Sequence, residues 1–147
     1  MFGNANDKEN QELTSEQLIA AVVEHAQKLV DKRTLRSAEM KDGVGYLDYW
    51  FCRAEYRAKD GKLEVLYKFD TNPPMKKAEA DDALEGIPDL DKWNVLDKED
   101  ADPEVVIGLE CPVNQITLDN ITAGLREETP RINAFRDNCN NLGYELA

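Results

Sequence analysis

The stretch Cys52-Arg53-Ala54-Glu55-Tyr56-Arg57-Ala58-Lys59-Asp60-Gly61-Lys62-Leu63-Glu64-Val65-Leu66-Tyr67-Lys68-Phe69 decides the fold. At its centre Asp60-Gly61 is a dipeptide that tolerates positive φ at both inner positions of a type I′ turn. It stands between two runs rich in aromatic and branched residues, so it predicts a two-residue hairpin loop. With that loop, Ala58 faces Leu63, Tyr56 faces Val65, Ala54 faces Tyr67 and Cys52 faces Phe69, and each of these is apolar or aromatic. The opposite face sets Arg57 against Glu64, an attractive cross-strand pair, with Glu55 against Leu66 and Arg53 against Lys68. A slip of one residue would turn every side chain to the other face. The register that sorts core from solvent at every pair is therefore the one to expect.

Toward the N-terminus, Leu47, Tyr49 and Phe51 alternate with Tyr46, Trp50 and Cys52. Read as a continuation of the strand, they project from the face opposite the apolar one, where an antiparallel sheet covered on one side should be polar. Either another element of the chain covers them, or Leu47, Tyr49 and Phe51 form a partner or dimer surface. Further upstream, Thr14 is placed as an N-cap with Gln17 at the capping-box position, and Leu13 and Leu18 are spaced as a hydrophobic staple. The helix they start carries Leu18, Ile19, Val22, Val23, Ala26, Leu29 and Val30 on one stripe and should run to about Lys32 or Arg33. Residues 1–12 are polar and read as a flexible arm, with one α+β domain over 13–147.

Downstream, Asp70 to Glu104 holds twelve acids and four lysines. Met75 to Leu84 reads as a short helix with Gly86 after it, and Pro88 to Leu96 as another turn or two that puts Leu90, Trp93 and Leu96 on one face. Asp97 to Pro103 is an acidic loop. Val105, Ile107, Leu109, Cys111 and Val113 then alternate as the inward face of a strand, with Gly108 marking a weak point or a close approach and Pro112 its end. Thr117 can cap a helix with Leu118, Ile121, Leu125, Ile132, Phe135, Cys139 and Leu142 in one heptad phase, ended by Gly143. The unbroken phase favours one helix kinked at Pro130. A second helix, with Thr129 as N-cap and Pro130 at its first position, is the alternative. The order predicts an α+β two-layer sandwich: an antiparallel sheet with the N- and C-terminal helices packed on one face.

The 147 residues are 41% apolar and 33% charged, which suits one folded core rather than a disordered chain. The longest apolar run, Leu18 to Val23, is six residues, far short of the roughly 20 that cross a bilayer. Met1 to Lys8 offer neither a basic start nor an apolar stretch, so a secretory signal is not expected. Thirty acids against eighteen basic residues give a net charge of −12, which repels the phosphates of nucleic acid and anionic membranes and leaves basic protein partners open. Three cysteines, Cys52, Cys111 and Cys139, all on apolar stripes, read as buried free thiols of a cytoplasmic protein.

Chemistry-bearing patterns are sparse. His25, the one histidine, has no nucleophile at a readable spacing, and the sequence carries no glycine-rich phosphate loop, Cys-x-x-Cys or His-x-x-x-His. The run Asp97-Lys98-Glu99-Asp100-Ala101-Asp102 fails as a calcium loop, because Asp102 stands where the turn needs glycine and Gly108 where a bidentate glutamate is needed. No catalytic residue, cofactor or metal is expected.

Asp91-Lys92-Trp93-Asn94, the Val105–Glu110 strand, Ile116-Thr117-Leu118-Asp119-Asn120-Ile121 and a last helix carrying Phe135 resemble the YbjN-type family. The helix started by Leu13-Thr14-Ser15-Glu16 and the hairpin fit that family's first half, although Asn114-Gln115 replaces its usual Gly-Gly. Its members are described as sensory-transduction regulators with a fold similar to type III secretion chaperones. The resemblance implies a non-enzymatic, acidic, dimeric protein that binds other proteins. The expectation is a non-catalytic, chaperone-like or regulatory domain that masks an apolar segment of a partner protein, or a second copy of itself. The alternative is an acidic inhibitor or immunity-type protein, a DNA mimic that blocks a basic site.

Overall fold

The capping box at Thr14 opens the first helix. A computed structural model describes residues 13–31, 35–87 and 93–146 of the chain; the arm read at 1–12 lies outside the described residues. In α1 (Ser15–Gln27), Gln17 N–H donates to Thr14 Oγ1 at 3.1 Å and Thr14 N–H donates to Gln17 Oε1 at 3.0 Å. The helix buries Leu18, Ile19, Val22, Val23 and Ala26, but it stops well before the expected end at Lys32 or Arg33. Past Gln27 the chain turns: Leu29 N–H bonds the carbonyl of Ala26, and Val30 bridges to Leu35. The turn still buries Leu29, which is why the apolar spacing outlasts the helix.

Four strands follow as two tight hairpins. β1 (Ser37–Lys41) and β2 (Val44–Asp48) are joined by Asp42-Gly43 at φ of 52° and 80°. β3 (Cys52–Lys59) and β4 (Lys62–Asn72) are joined by Asp60-Gly61 at φ of 51° and 77°. Both loops have the double positive φ of a type I′ turn, which follows the twist of the strands. The β3–β4 register is the expected one, with Cys52 opposite Phe69, Ala54 opposite Tyr67, Tyr56 opposite Val65 and Arg57 opposite Glu64.

After β4 come α2 (Lys77–Leu84), β5 (Asn94–Val95), β6 (Glu104–Pro112), α3 (Gln115–Asn141) and β7 (Glu145–Leu146). The antiparallel sheet runs β1-β2-β3-β4-β6-β5, and β7 pairs with the end of β4. The turn expected over Pro88–Leu96 is corrected at its end. Asn94 and Val95 pair with Gly108 and Ile107 as a strand; residues 88–92, Leu90 among them, lie outside the described residues. Pro112 closes β6, as its missing N–H requires. The cap of α3 is Asn114 rather than Thr117: Thr117 N–H donates to Asn114 Oδ1 at 2.8 Å, so Thr117 sits buried inside the first turn. The helix continues through Pro130 as one element and ends before Gly143, whose φ is 96°.

One row of paired residues crosses the sheet as Leu47, Ala54, Tyr67, Ile107 and Val95, and all five are buried. α1 and α3 close over this face. Gly45 marks how near α1 comes, because a Cβ there would meet Val23 Cγ2 at 2.8 Å and Ile19 Cγ2 at 3.0 Å. From α3, Phe135 tilts against Phe69 of β4 with ring centroids 4.8 Å apart. The fold is α+β, with one sheet face covered and the other open.

Candidate functional site

The segment between β2 and β3 is a tight turn, not a continuous strand. Tyr49 N–H bonds the carbonyl of Cys52 at 2.7 Å, Phe51 N–H bonds that of Tyr49 at 3.1 Å, and Trp50 sits at φ of 81°. Asp48 Oδ1 accepts the Trp50 N–H at 2.8 Å and holds the turn. The turn resets the alternation. Leu47 pairs with Ala54 and so shares the covered face with Cys52, whereas Tyr46 pairs with Glu55 on the open face.

The partner surface expected at Leu47, Tyr49 and Phe51 is therefore corrected. Leu47 is 1% and Tyr49 3% exposed, both inside the core, and Phe51 is half-buried with the Arg136 guanidinium of α3 4.9 Å above its ring. The chain's own helices cover this face. The aromatic residue left in solvent is Trp50, 52% exposed, with the Arg36 guanidinium 5.5 Å from its ring centre. Left-handed backbone costs a residue with a Cβ roughly 1–2 kcal/mol, so a large side chain held there at the surface points to a use.

Trp50 stands at one end of a groove on the open face. One lobe, of about 410 Å³, takes in Glu39 of β1, Tyr46 and Asp48 of β2, Arg53 and Glu55 of β3, Lys68 of β4 and Glu104 of β6. The other, of about 250 Å³, is lined by Arg36, Trp50, Phe51 and Asp70. Asp48, Arg53 and Lys68 line both, so the two lobes adjoin. The first lobe is richer in carboxylates, and the second, beside Trp50, is richer in cations.

The charges are preset by one another. Arg53 reaches Asp70 at 3.6 Å and Glu104 at 3.7 Å, and Arg36 lies 4.0 Å from Asp48. Glu55 is shared by Lys68, at 2.8 Å, and the guanidinium of Arg57. Burial alone would raise the Glu55 carboxyl, but the hydrogen bond and charge of Lys68, with Arg57, outweigh it and hold the group below its ordinary range. A carboxylate locked in its ionised form is poorly suited to shuttling protons. His25, in the last turn of α1, lines neither lobe.

The thiols lie elsewhere. Cys52 and Cys139 are buried and Cys111 is half-buried, a departure from the expectation that all three are fully enclosed. Burial pushes the Cys52 thiol well up and that of Cys139 to about 12, so neither is a ready thiolate. Among the described residues no group of three or more His, Cys, Asp or Glu is placed to hold a metal ion, and no helix is long and apolar enough to cross a membrane. Sequence reasoning missed Trp50 because nothing local marks a tryptophan as a turn residue; Asp48, two positions before it, was the available signal.

No family model, curated protein or solved structure matches the chain.

Proposed function

We propose that the protein is a non-catalytic, regulatory protein-binding domain. Its open sheet face holds an extended segment of mixed charge from another protein. The observation that carries the reading is the pair of adjoining lobes beside the strained, half-exposed Trp50. A basic side chain of the segment would stack on Tyr46 near Glu39, and an acidic one would lie toward Arg36 and Arg53 beside Trp50. Tryptophan and arginine are among the residues that most often dominate interface energies, tryptophan through its large rigid contact area and arginine through its planar fork of hydrogen-bond donors. The role is of the kind implied by the resemblance to the YbjN-type family. Masking of an apolar client segment by Leu47 and Tyr49 would first require the helices that cover them to leave the sheet, so the groove is the better-supported surface.

The test is a titration of the whole chain with 12-residue peptides of four kinds: mixed-charge, basic, acidic and apolar. Binding of the mixed-charge set, weakening with salt, is expected. It should be lost in Trp50→Gly and in Glu39→Lys, while the unfolding free energy of Trp50→Gly stays level or rises because glycine relieves the positive φ. Failure of every mixed-charge peptide, or binding indifferent to both substitutions, overturns the reading. Preference for the apolar set would restore apolar masking, and preference for the basic set would favour the acidic inhibitor. Sedimentation alongside reads self-association: a dimer lost in Trp50→Gly would assign the groove to a second copy instead.

A further inference from the structure

On the covered face α3 brings Glu128 down onto a cluster of tyrosines. The Glu128 carboxyl is hydrogen-bonded to the hydroxyl of Tyr67 from β4, and that hydroxyl is also bonded to Tyr56 of β3. Tyr49 of the β2–β3 turn and Cys52 of β3 lie within electrostatic reach of the same carboxyl, and Cys111 of β6 within reach of Tyr56. α1 contributes an apolar stripe to this core. Arg131, three residues along α3, is the cation that acts on Glu128, with Nη1 3.8 Å from Oε1. Glu128 Oε2 and the Tyr49 hydroxyl are both buried without a hydrogen-bond partner.

An ionised carboxylate in this place leaves a charged oxygen unpaired in a nearly dry core, which is among the costliest arrangements a protein holds. A protonated carboxyl removes the charge and brings in an O–H donor where oxygens lack partners. Two residues further on, Pro130 has no N–H for the carbonyl of Arg126, so the hydrogen-bond ladder of α3 is already interrupted beside the strained point.

We propose that Glu128 is a proton-linked latch: while it holds its proton, α3 is closed on the tyrosine face of the sheet, and ionisation weakens that docking around Pro130. Opening would uncover Tyr49, Phe51 and Phe69, the apolar face that Phe135 and Arg136 of α3 cover. The Glu128–tyrosine cluster lies on the face opposite the groove, Phe51 alone touching both, and its test does not depend on the binding reading.

The sign follows from linkage. Burial raises the Glu128 carboxyl from 4.5 to about 7, against the smaller lowering effects of Tyr67 and Arg131. The closed state therefore binds the proton more tightly than the open one. Its advantage is full below about pH 4.5, falls as the pH rises, and is gone above about 7.

The experiment uses the full chain with Trp50→Phe, so that fluorescence comes from Trp93, whose ring stacks on Tyr67 with centroids 4.2 Å apart. A fluorescence transition centred near pH 7 is expected, and Glu128→Gln should abolish it. Hydrogen exchange, compared with Glu128→Gln at each pH, should show α3 opening more often by roughly tenfold per pH unit between about 5 and 7, then levelling. Identical behaviour of the two proteins overturns the proposal. Exchange that quickens equally in α3 and in the β3–β4 hairpin also overturns it, since that is global destabilisation and not a latch. If Glu128→Gln does not fold, Tyr67→Phe decides: loss of a hydrogen bond that favours the carboxylate should move the transition upward, and an unmoved transition rejects the latch.

Discussion

Trp50 is the residue at which simple alternation stops describing the chain. One left-handed residue turns the strand back on itself, and Leu47 and Tyr49 pass to the covered face. The period-2 rule assumes an unbroken strand, and no Asp-Gly or Asn-Gly pair warned of the turn. The cysteines show a second single-residue effect. Cys52 and Cys139 are enclosed by the two helices, whereas Cys111, at the end of β6 beside Pro112, is half open to solvent. Intact-mass analysis after brief alkylation of the native protein should therefore show a single adduct, at Cys111. All three thiols should react once denaturant is added. Rapid modification of Cys52 or Cys139 without denaturant would mean that the helices part from the sheet far more often than their packing implies.

At the scale of elements, the β3–β4 hairpin and the cap of α1 were legible, whereas the β1–β2 hairpin was not expected and the cap of α3 lies at another residue than expected. Asp42-Gly43 carries the same turn signal as Asp60-Gly61 and makes the same turn, but Ser37–Lys41 lacks the alternating apolar residues that mark a strand, so β1 was not expected. The start of α3 was read three residues late because Thr117 and Asn114 are both good caps; the structure uses Asn114 and buries Thr117. Within α3, tertiary packing overrides the helix-breaking residue. Ile132, Phe135 and Cys139, all beyond Pro130, are buried in the same core as Leu125 before it, and this holds one helix across the gap. Pro130 itself is exposed, so Pro130→Ala should restore the missing hydrogen bond without disturbing the core. A gain of about 1–3 kcal/mol in unfolding free energy is expected from urea denaturation. No gain would show that a backbone geometry set by Pro130 is needed for the Glu128 side of the helix to reach the sheet.

For the whole molecule the charge imbalance is expected to outweigh the ion pairs. The exposed pairs around Arg53 and Arg36 are each worth about 0–1 kcal/mol and weaken with salt. A net charge of −12 repels itself throughout, and most strongly along Asp70–Glu104. Raising ionic strength from about 10 to 150 mM shortens the screening length from roughly 30 to 8 Å. The protein should therefore gain on the order of 1 kcal/mol in unfolding free energy over that range, read by urea melts at fixed pH. A loss would show that the pairs on the open face, Lys68 with Glu55 and Arg57 with Glu55, contribute more than the repulsion costs.

The sequence by itself determined the α1 start, the β3–β4 register, the inward face of β6 and the fold class, because each rests on neighbours within a few residues or on one repeating period. It could not tell which face Leu47, Tyr49 and Phe51 would take, since that depends on one residue's φ between two strands. Nor could it show that Glu128, one of thirty acids, would be carried by α3 onto Tyr67. The groove at Trp50 belongs to the same class: its walls come from β1, β2, β3, β4 and β6, which are brought side by side by long-range pairing alone. Local preferences set elements, and the environment of a charged or aromatic side chain is made by segments far away in the chain, so only the tertiary structure decides it.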